Sequence, residues 1–285
     1  MSRSSKIRQL NMKLEDAVMF NDFDVNNWLK YTSKDDSSFG QFVINYISES
    51  TAPTDEIKSG LASMMMSAWT DPELIANICD KIGWPETKKF LSETVPSSKT
   101  AKRGEFGEAL TYEILEKMIG FKVLVKKLRY KVTSGQSLPG TDILAVKLVK
   151  GSITEVCFIE CKLRTVHDNQ AAVDAYNQLL GICKQRYSDI VKFTASRLKD
   201  SKDSLFETFK EYMLNNSNQS QIETFRVSLI YDKSAWNIKV IEPLRNESVK
   251  TLLGNTYVDV VSIKELKDLI DSVFESIDTK EVMGN

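Results

Sequence analysis

Three residues carry the clearest chemistry in this chain: Asp142, Glu160 and Lys162. They fall within LPGTDILAVKLVKGSITEVCFIECKLR, residues 138–164, where a Pro-Gly turn leads into one apolar strand and a short connection into a second. Side chains alternate along a strand, so Val156, Phe158, Glu160 and Lys162 share one face while Cys157, Ile159 and Cys161 share the other. Asp142 meets Glu160 and Lys162 if the two strands pair as a hairpin, which the turn-like Lys150-Gly151-Ser152 permits. Two carboxylates then offer hard oxygen ligands to Mg²⁺ or Mn²⁺, the metal activates a water, and the ammonium orients or activates the nucleophile. That donor set suits hydrolysis of a phosphodiester bond.

The elements around this stretch must bring the three side chains together. EFGEALTYEILEKM reads as a helix, FKVLVKKLRYKV as a strand and SGQSLPG as a turn, followed by the strands TDILAVKL and EVCFIECKL and the helix QAAVDAYNQLLGICKQRY. FRVSLIYD and WNIKVIEP read as further strands. The last element, SIKELKDLIDSVFESI, is a helix with Leu266, Leu269, Ile270, Val273, Phe274 and Ile277 on one face and a Ser262/Glu265 capping box at its start. Upstream, DSSFGQFVINYISES, TDEIKSGLASMMMSAW and DPELIANICDKIGW each show helical spacing after an Asp or Thr cap. VPSSKTAKRG, residues 95–104, is the best candidate boundary. The expected architecture is therefore an α/β fold in two parts. Residues 1–97 form a mainly helical segment with a partner-binding or regulatory role, and residues 98–285 form the domain that carries the chemistry.

The spacing D-x(17)-E-C-K, with an upstream helix beginning R-G-E-F-G-E, resembles the PD-(D/E)xK nuclease superfamily over residues 103 to about 185. The resemblance implies a restriction-endonuclease-like core, with a mixed central sheet flanked by helices, and a Mg²⁺- or Mn²⁺-dependent nuclease. Asp142 and Glu160 would be metal ligands, and Lys162 the catalytic cation. A glutamate on the first core helix often completes the metal site in that family; Glu105 and Glu108 are the candidates here. Glu108 is favoured because it lies beside the stripe of Leu110, Ile114, Leu115 and Met118 near the helix start. The family's Pro-Asp dipeptide is replaced by Pro139-Gly140-Thr141-Asp142, and the Gln-x-x-x-Tyr of the RecB-type branch is absent, since Ile182 follows Gln178 at that spacing. More narrowly, the layout is similar to the nuclease subunit of bacterial Hachiman-type nuclease–helicase systems, HamA and its AbpA-like relatives. That implies a separately encoded helicase partner and DNA cleavage in antiviral defence.

An E-x-K pair alone is more often a surface ion pair of little consequence. The combination with the apolar strand before it, the G-T-D strand and the G-E-F-G-E helix raises it above that level. Stand-alone restriction or repair is the alternative enzyme reading, weakened because no helix-turn-helix stands out in residues 1–98. A nuclease-like scaffold that binds without cutting is the third.

Charge and composition bound these readings. The net charge of −1 gives no nucleic-acid signal, but residues 99–131 carry 9 Lys/Arg against 4 Asp/Glu, and FKVLVKKLRYK holds five basic and no acidic residues. Lys126, Lys127 and Arg129 are the candidate DNA-phosphate contacts, against a solvated strand face as the ordinary explanation. His167, Asp168, Gln170, Asp174 and Gln178 follow the lysine, where further DNA contacts could sit; the lone histidine reads as a solvated loop residue. Tyr176, Tyr187 and Trp236 have the rings to stack on bases, yet aromatics at core spacing usually pack. Four cysteines without a C-x-x-C pair read as reduced thiols, and a single histidine excludes His-pair chemistry. No apolar run reaches membrane-spanning length and no secretory segment opens the chain, so a cytoplasmic protein is expected.

Overall fold

The computed structural model describes residues 23–131, 140–185, 187–215, 222–245 and 256–278. Strands Leu29–Phe39 (β1) and Phe42–Glu49 (β2) precede four helices, Asp55–Trp69 (α1), Pro72–Ile82 (α2), Trp84–Thr94 (α3) and Lys99–Glu113 (α4). A π-helical turn, Ile114–Ile119, extends α4 and stops at Gly120, whose φ of +84° suits glycine. Next come the short strand Lys122–Val123 (β3), a 3₁₀ turn at Lys127–Tyr130, and the strands Ile143–Val149 (β4) and Ser152–Arg164 (β5). Helices Ala171–Gln185 (α5), Tyr187–Asp200 (α6) and Leu205–Asn215 (α7) lead to Ile222–Asp232 (β6), Thr256–Ile263 (β7) and Leu266–Asp278 (α8).

The strands form one mixed sheet in the order β1-β2-β7-β6-β5-β4-β3. Its centre is parallel, with β2, β7, β6 and β5 running together, and both flanks are antiparallel. Helices α1, α4 and α8 cover one face, where Leu61, Phe106, Leu110, Ile270 and Phe274 pack on Ile159, Ile230 and Val261. Helices α5, α6 and α7 cover the other, where Tyr176, Leu179 and Phe209 pack on Phe158, Val227 and Leu229. A parallel sheet centre needs both faces covered, which these two layers supply. This is the expected α/β class, a mixed sheet flanked by helices.

Several local readings are corrected. Residues 36–50 are not a helix: Gly40, at φ +71°, turns β1 into β2, and Phe42 pairs back on Phe39. Along β2, Phe42 and Ile44 enter one core and Ile47 the other, so an interior strand buried on both faces supplied the apolar run that mimics helical spacing. The helix around Glu108 starts earlier than expected, because the Ser98 side chain caps it by accepting from the Ala101 N–H at 3.1 Å. Residues 236–243 form two 3₁₀ turns rather than a strand, where the Asn237 side chain accepts from the Lys239 N–H and Pro243 has no N–H for a ladder. The Ser262/Glu265 capping box does not form either: Ser262 lies in β7, and Asp232, at the end of β6, accepts from the Leu266 N–H at 2.9 Å. The turn expected at 134–140 falls almost wholly outside the described residues.

Candidate active site

The two-residue Lys150-Gly151 connection has both φ angles positive, +51° and +81°, and closes β4 on β5 as a tight hairpin. The register pairs Ile143 with Ile159 and Leu144 with Phe158. One step further the backbone ladder gives way to side chains. Asp142 Oδ2 accepts from the Cys161 N–H at 2.9 Å, and Glu160 Oε1 accepts from the Asp142 N–H at 3.3 Å. The carboxylates stand in for the carbonyls that a continuing ladder would provide, and this brings them together. Beyond this point β5 continues alone on that edge, supported from β6 through the pairs Glu160–Val227 and Lys162–Leu229. The site sits in the notch where β4 has stopped and β5 has not.

Strand alternation turns Glu160 and Lys162 toward the α5 face. Lys162 Nζ lies 3.8 Å from Glu160 Oε2 and donates to Gln178 Oε1 on α5 at 2.6 Å. Lys162, Arg164, Asp174, Asn177 and Gln178 line an open cleft beside it. Glu160 is only 3% exposed, and burial, followed by the charge of Asp142 and a carboxyl–carboxyl hydrogen bond with it, raises its pKa strongly; Lys162 opposes the shift.

The third acid arrives from the opposite face. Glu108 on α4 accepts a hydrogen bond from the Tyr112 hydroxyl, one helical turn on. Burial, then the charge of Asp142, raises its pKa to about 7, against the opposing Tyr112 hydrogen bond and the charges of Lys127 and Lys131. Glu105 is committed elsewhere: its carboxylate accepts from Trp69 Nε1 at 2.6 Å and pairs with Lys131 at 2.8 Å. Of the two candidates, Glu108 is the one on which the charge of Asp142 acts. Its carboxylate has not closed on the other two, since no three Asp, Glu, His or Cys side chains are gathered for a metal among the described residues.

The chemistry of this donor set fits a divalent cation. Asp142 and Glu160 are oxygen donors in contact, burial disfavours charge on Glu160, and the Glu108 carboxyl, on which the charge of Asp142 acts, is a third oxygen donor. Softer alternatives are absent from the site: Cys157 is buried on the other sheet face, and the Cys161 thiol is occupied by the Thr111 hydroxyl at 3.3 Å. His167 lies at the surface, bound through Nδ1 to the Ala235 carbonyl.

Of the strand expected over FKVLVKKLRYKV only Lys122–Val123 forms, and a 3₁₀ turn follows at Lys127–Tyr130. Lys126 pairs with Glu113 at 4.0 Å, and Arg129 donates twice to the Ser67 carbonyl and once to Asp71, tying this segment to the end of α1. Lys127 turns inward and donates to the Thr141 carbonyl at 2.7 Å. Tyr176 and Trp236 are packing residues: Tyr176 meets Phe42 edge-on at 5.3 Å, and Trp236 meets Tyr231 at 5.6 Å. The side chain of Tyr187 lies outside the described residues.

Sequence reasoning passed over Tyr112, Thr141 and the inward role of Lys127. Tyr112 was findable from its i+4 spacing to Glu108; the path of Lys127 depends on a 3₁₀ turn that no local signal marks.

Fold and site together define an α/β protein with a carboxylate–lysine cluster at the open end of an antiparallel strand pair. A model of the HamA family matches residues 19–277, and the chain belongs to that family, which is associated with defence systems. No curated protein matches the chain.

Proposed function

We propose that this protein is a metal-dependent nuclease of PD-(D/E)xK type that hydrolyses DNA phosphodiester bonds, acting in antiviral defence with a separately encoded helicase. The observation that carries this reading is the contact of the half-buried Asp142 carboxyl with the buried Glu160 carboxyl, with Lys162 on the same strand face 3.8 Å from Glu160. Family membership supports the defence role and the helicase partnership. A divalent cation, Mg²⁺ or Mn²⁺, when bound, supplies Lewis-acid polarisation of the phosphate and a water of lowered pKa.

The chain's own residues do the rest. Asp142 and Glu160 hold the cation, with Glu108 as the third carboxylate. Glu160 and Gln178 engage the Lys162 ammonium, which directs its remaining donor capacity toward the cleft, where it meets the scissile phosphate and the attacking water. Arg164 is held by Asp168 at 2.6 Å and lines the same cleft, so it sits where a neighbouring phosphate would pass.

One observation favours a second reading, a module that binds nucleic acid or a partner without cutting: the three acids are not yet gathered around a common point. A single assay separates the two. Linear and nicked duplex and single-stranded DNA are incubated with the purified chain, alone and with the helicase, in Mg²⁺, in Mn²⁺ and in EDTA. Cleavage that needs metal and disappears in Glu160→Gln supports the nuclease. Undiminished cutting in EDTA, or no cutting under any condition, refutes it.

A further inference from the structure

Lys127 joins the two elements that carry the acids. Its backbone N–H donates to the Tyr112 hydroxyl, which itself donates to Glu108, so the start of the 3₁₀ turn is tied to α4 at the third acid. Its ammonium donates to the Thr141 carbonyl at 2.7 Å, immediately before Asp142. Thr141 is in turn fixed to β5, its hydroxyl donating to the Ile159 carbonyl at 2.6 Å, immediately before Glu160. A single residue thus spans α4 and the entrance of β4. Its positive charge lies where the charges of Glu108, Asp142 and Glu160 all act on it.

We infer that Lys127 is a second lysine of this site, a positioning residue that sets Glu108 against the Asp142–Glu160 pair. The inference rests on the nuclease reading for its purpose but on the bond path for its geometry. Three carboxylates with no cation among them repel, and the strand entrance at Asp142 would be free to move away from α4. Lys127 counters both tendencies by holding the backbone and by placing a positive charge among the three carboxyls, so that each is favoured in its ionised form. A phosphate contact would instead present the ammonium to solvent, and Lys127 is committed inward.

The test uses the full chain and a coupling measurement that does not depend on turnover. Mn²⁺ binding is measured by calorimetry at pH 8 for the wild type, Glu108→Gln, Lys127→Met and the double variant. Thermal melts confirm folding, and Lys127→Arg and Tyr112→Phe serve as second variants. The inference requires Glu108→Gln to weaken Mn²⁺ binding at least fivefold in the wild type, and to have less than half that effect, on a logarithmic scale, once Lys127 is methionine. Lys127→Arg should restore at least part of the coupling, and Tyr112→Phe should reduce it.

Where cleavage is measurable, Lys127→Met should lower kcat at least tenfold with KM within about threefold and an unchanged salt dependence of DNA binding. Additive effects of the two substitutions on Mn²⁺ binding overturn the inference. So does an unchanged affinity in Glu108→Gln, since Lys127 would then have no third ligand to position. A rise in KM with a flattened salt slope and intact kcat would make Lys127 a phosphate contact instead. If the wild type binds Mn²⁺ but cuts nothing, the nuclease reading falls and the coupling alone decides the role of Lys127.

Discussion

Replacing Glu108 by glutamine should make the metal-free protein more stable at pH 8 while weakening its hold on a divalent cation. The reason lies in where the carboxyl sits. Burial and the neighbouring charge of Asp142 raise its pKa from an ordinary 4.5 to about 7. One unit corresponds to about 1.4 kcal/mol, so ionising Glu108 inside the folded protein opposes folding by up to about 3.5 kcal/mol. The side chain keeps partial contact with solvent, and screening reduces the figure to about 1–3 kcal/mol.

The sign follows from proton counting. Below about pH 4.5 the group is neutral in both folded and unfolded chains, so wild type and variant should differ by a constant. Between about pH 4.5 and 7 the unfolded wild type has released a proton that the folded protein still holds, and its stability falls with rising pH relative to the variant. Above pH 7 the gap should level off. Urea or thermal unfolding in EDTA, taken as the difference between the two proteins from pH 4 to 8.5, cancels the carboxylates that do not interact with Glu108. In a chain of this size the gap is worth about 2–4 °C per kcal/mol. Adding Mg²⁺ at pH 8 should stabilise the wild type more than the variant, because the cation takes up the charge that burial penalises. A pH-independent difference, or a variant less stable at pH 8, would refute the placement of Glu108 beside Asp142.

Two further predictions follow from other contacts. Lys162→Ala removes the ammonium from the cleft and leaves all three acids in place, so cleavage should fall about a hundredfold, roughly 3 kcal/mol in barrier, while Mn²⁺ affinity is retained; parallel loss of both would make Lys162 a structural partner of Glu160. Asp259→Ala should destabilise the fold by about 3–5 kcal/mol in urea melts, because it leaves Arg226 buried without its counter-ion. Arg226 Nη1 meets both Asp259 oxygens at 2.6–2.7 Å, and both residues are almost fully buried. A loss under 1 kcal/mol would mean that the pair is hydrated.

The centre of the site was legible because it depends on local rules. Alternation along β5 puts Glu160 and Lys162 on one face whatever the rest of the chain does, and the two-residue turn closes the hairpin; the one-residue bulge at Lys147/Leu148, which shifts the partner of Ile143 from Phe158 to Ile159, carries no such signal. The apolar stripe of α8 was readable for the same reason, since Leu266, Leu269, Ile270, Val273, Phe274 and Ile277 are all buried. Where the reading failed, the deciding partner was distant in sequence. β2 looks helical until β7, more than two hundred residues away, is found lying parallel to it, with Asn45 donating to Asp259 at 2.7 Å across the pair. Likewise, the cap of α8 comes from Asp232 on another strand, so a search for a cap just before the helix selects the wrong residues.

The basic segment shows the same limit acting on function. Five positive charges in eleven residues suggest a surface for phosphates only if their side chains point outward, and that depends on what the fold has left unpaired. Here the end of α1 leaves the Ser67 carbonyl and Asp71 for Arg129, α4 and its π-helical extension bring Glu113 within reach of Lys126, and the end of the β4–β5 ladder leaves the Thr141 carbonyl for Lys127. Arg129 and Lys127 go to backbone carbonyls that terminating elements leave unsatisfied, and Lys126 goes to a helix carboxylate. Charge density along a sequence therefore records how many such oxygens the fold must meet as well as how strongly a surface attracts DNA. In this protein Lys126, Lys127 and Arg129 all have partners within the fold, while Lys162 and Arg164 line the open cleft.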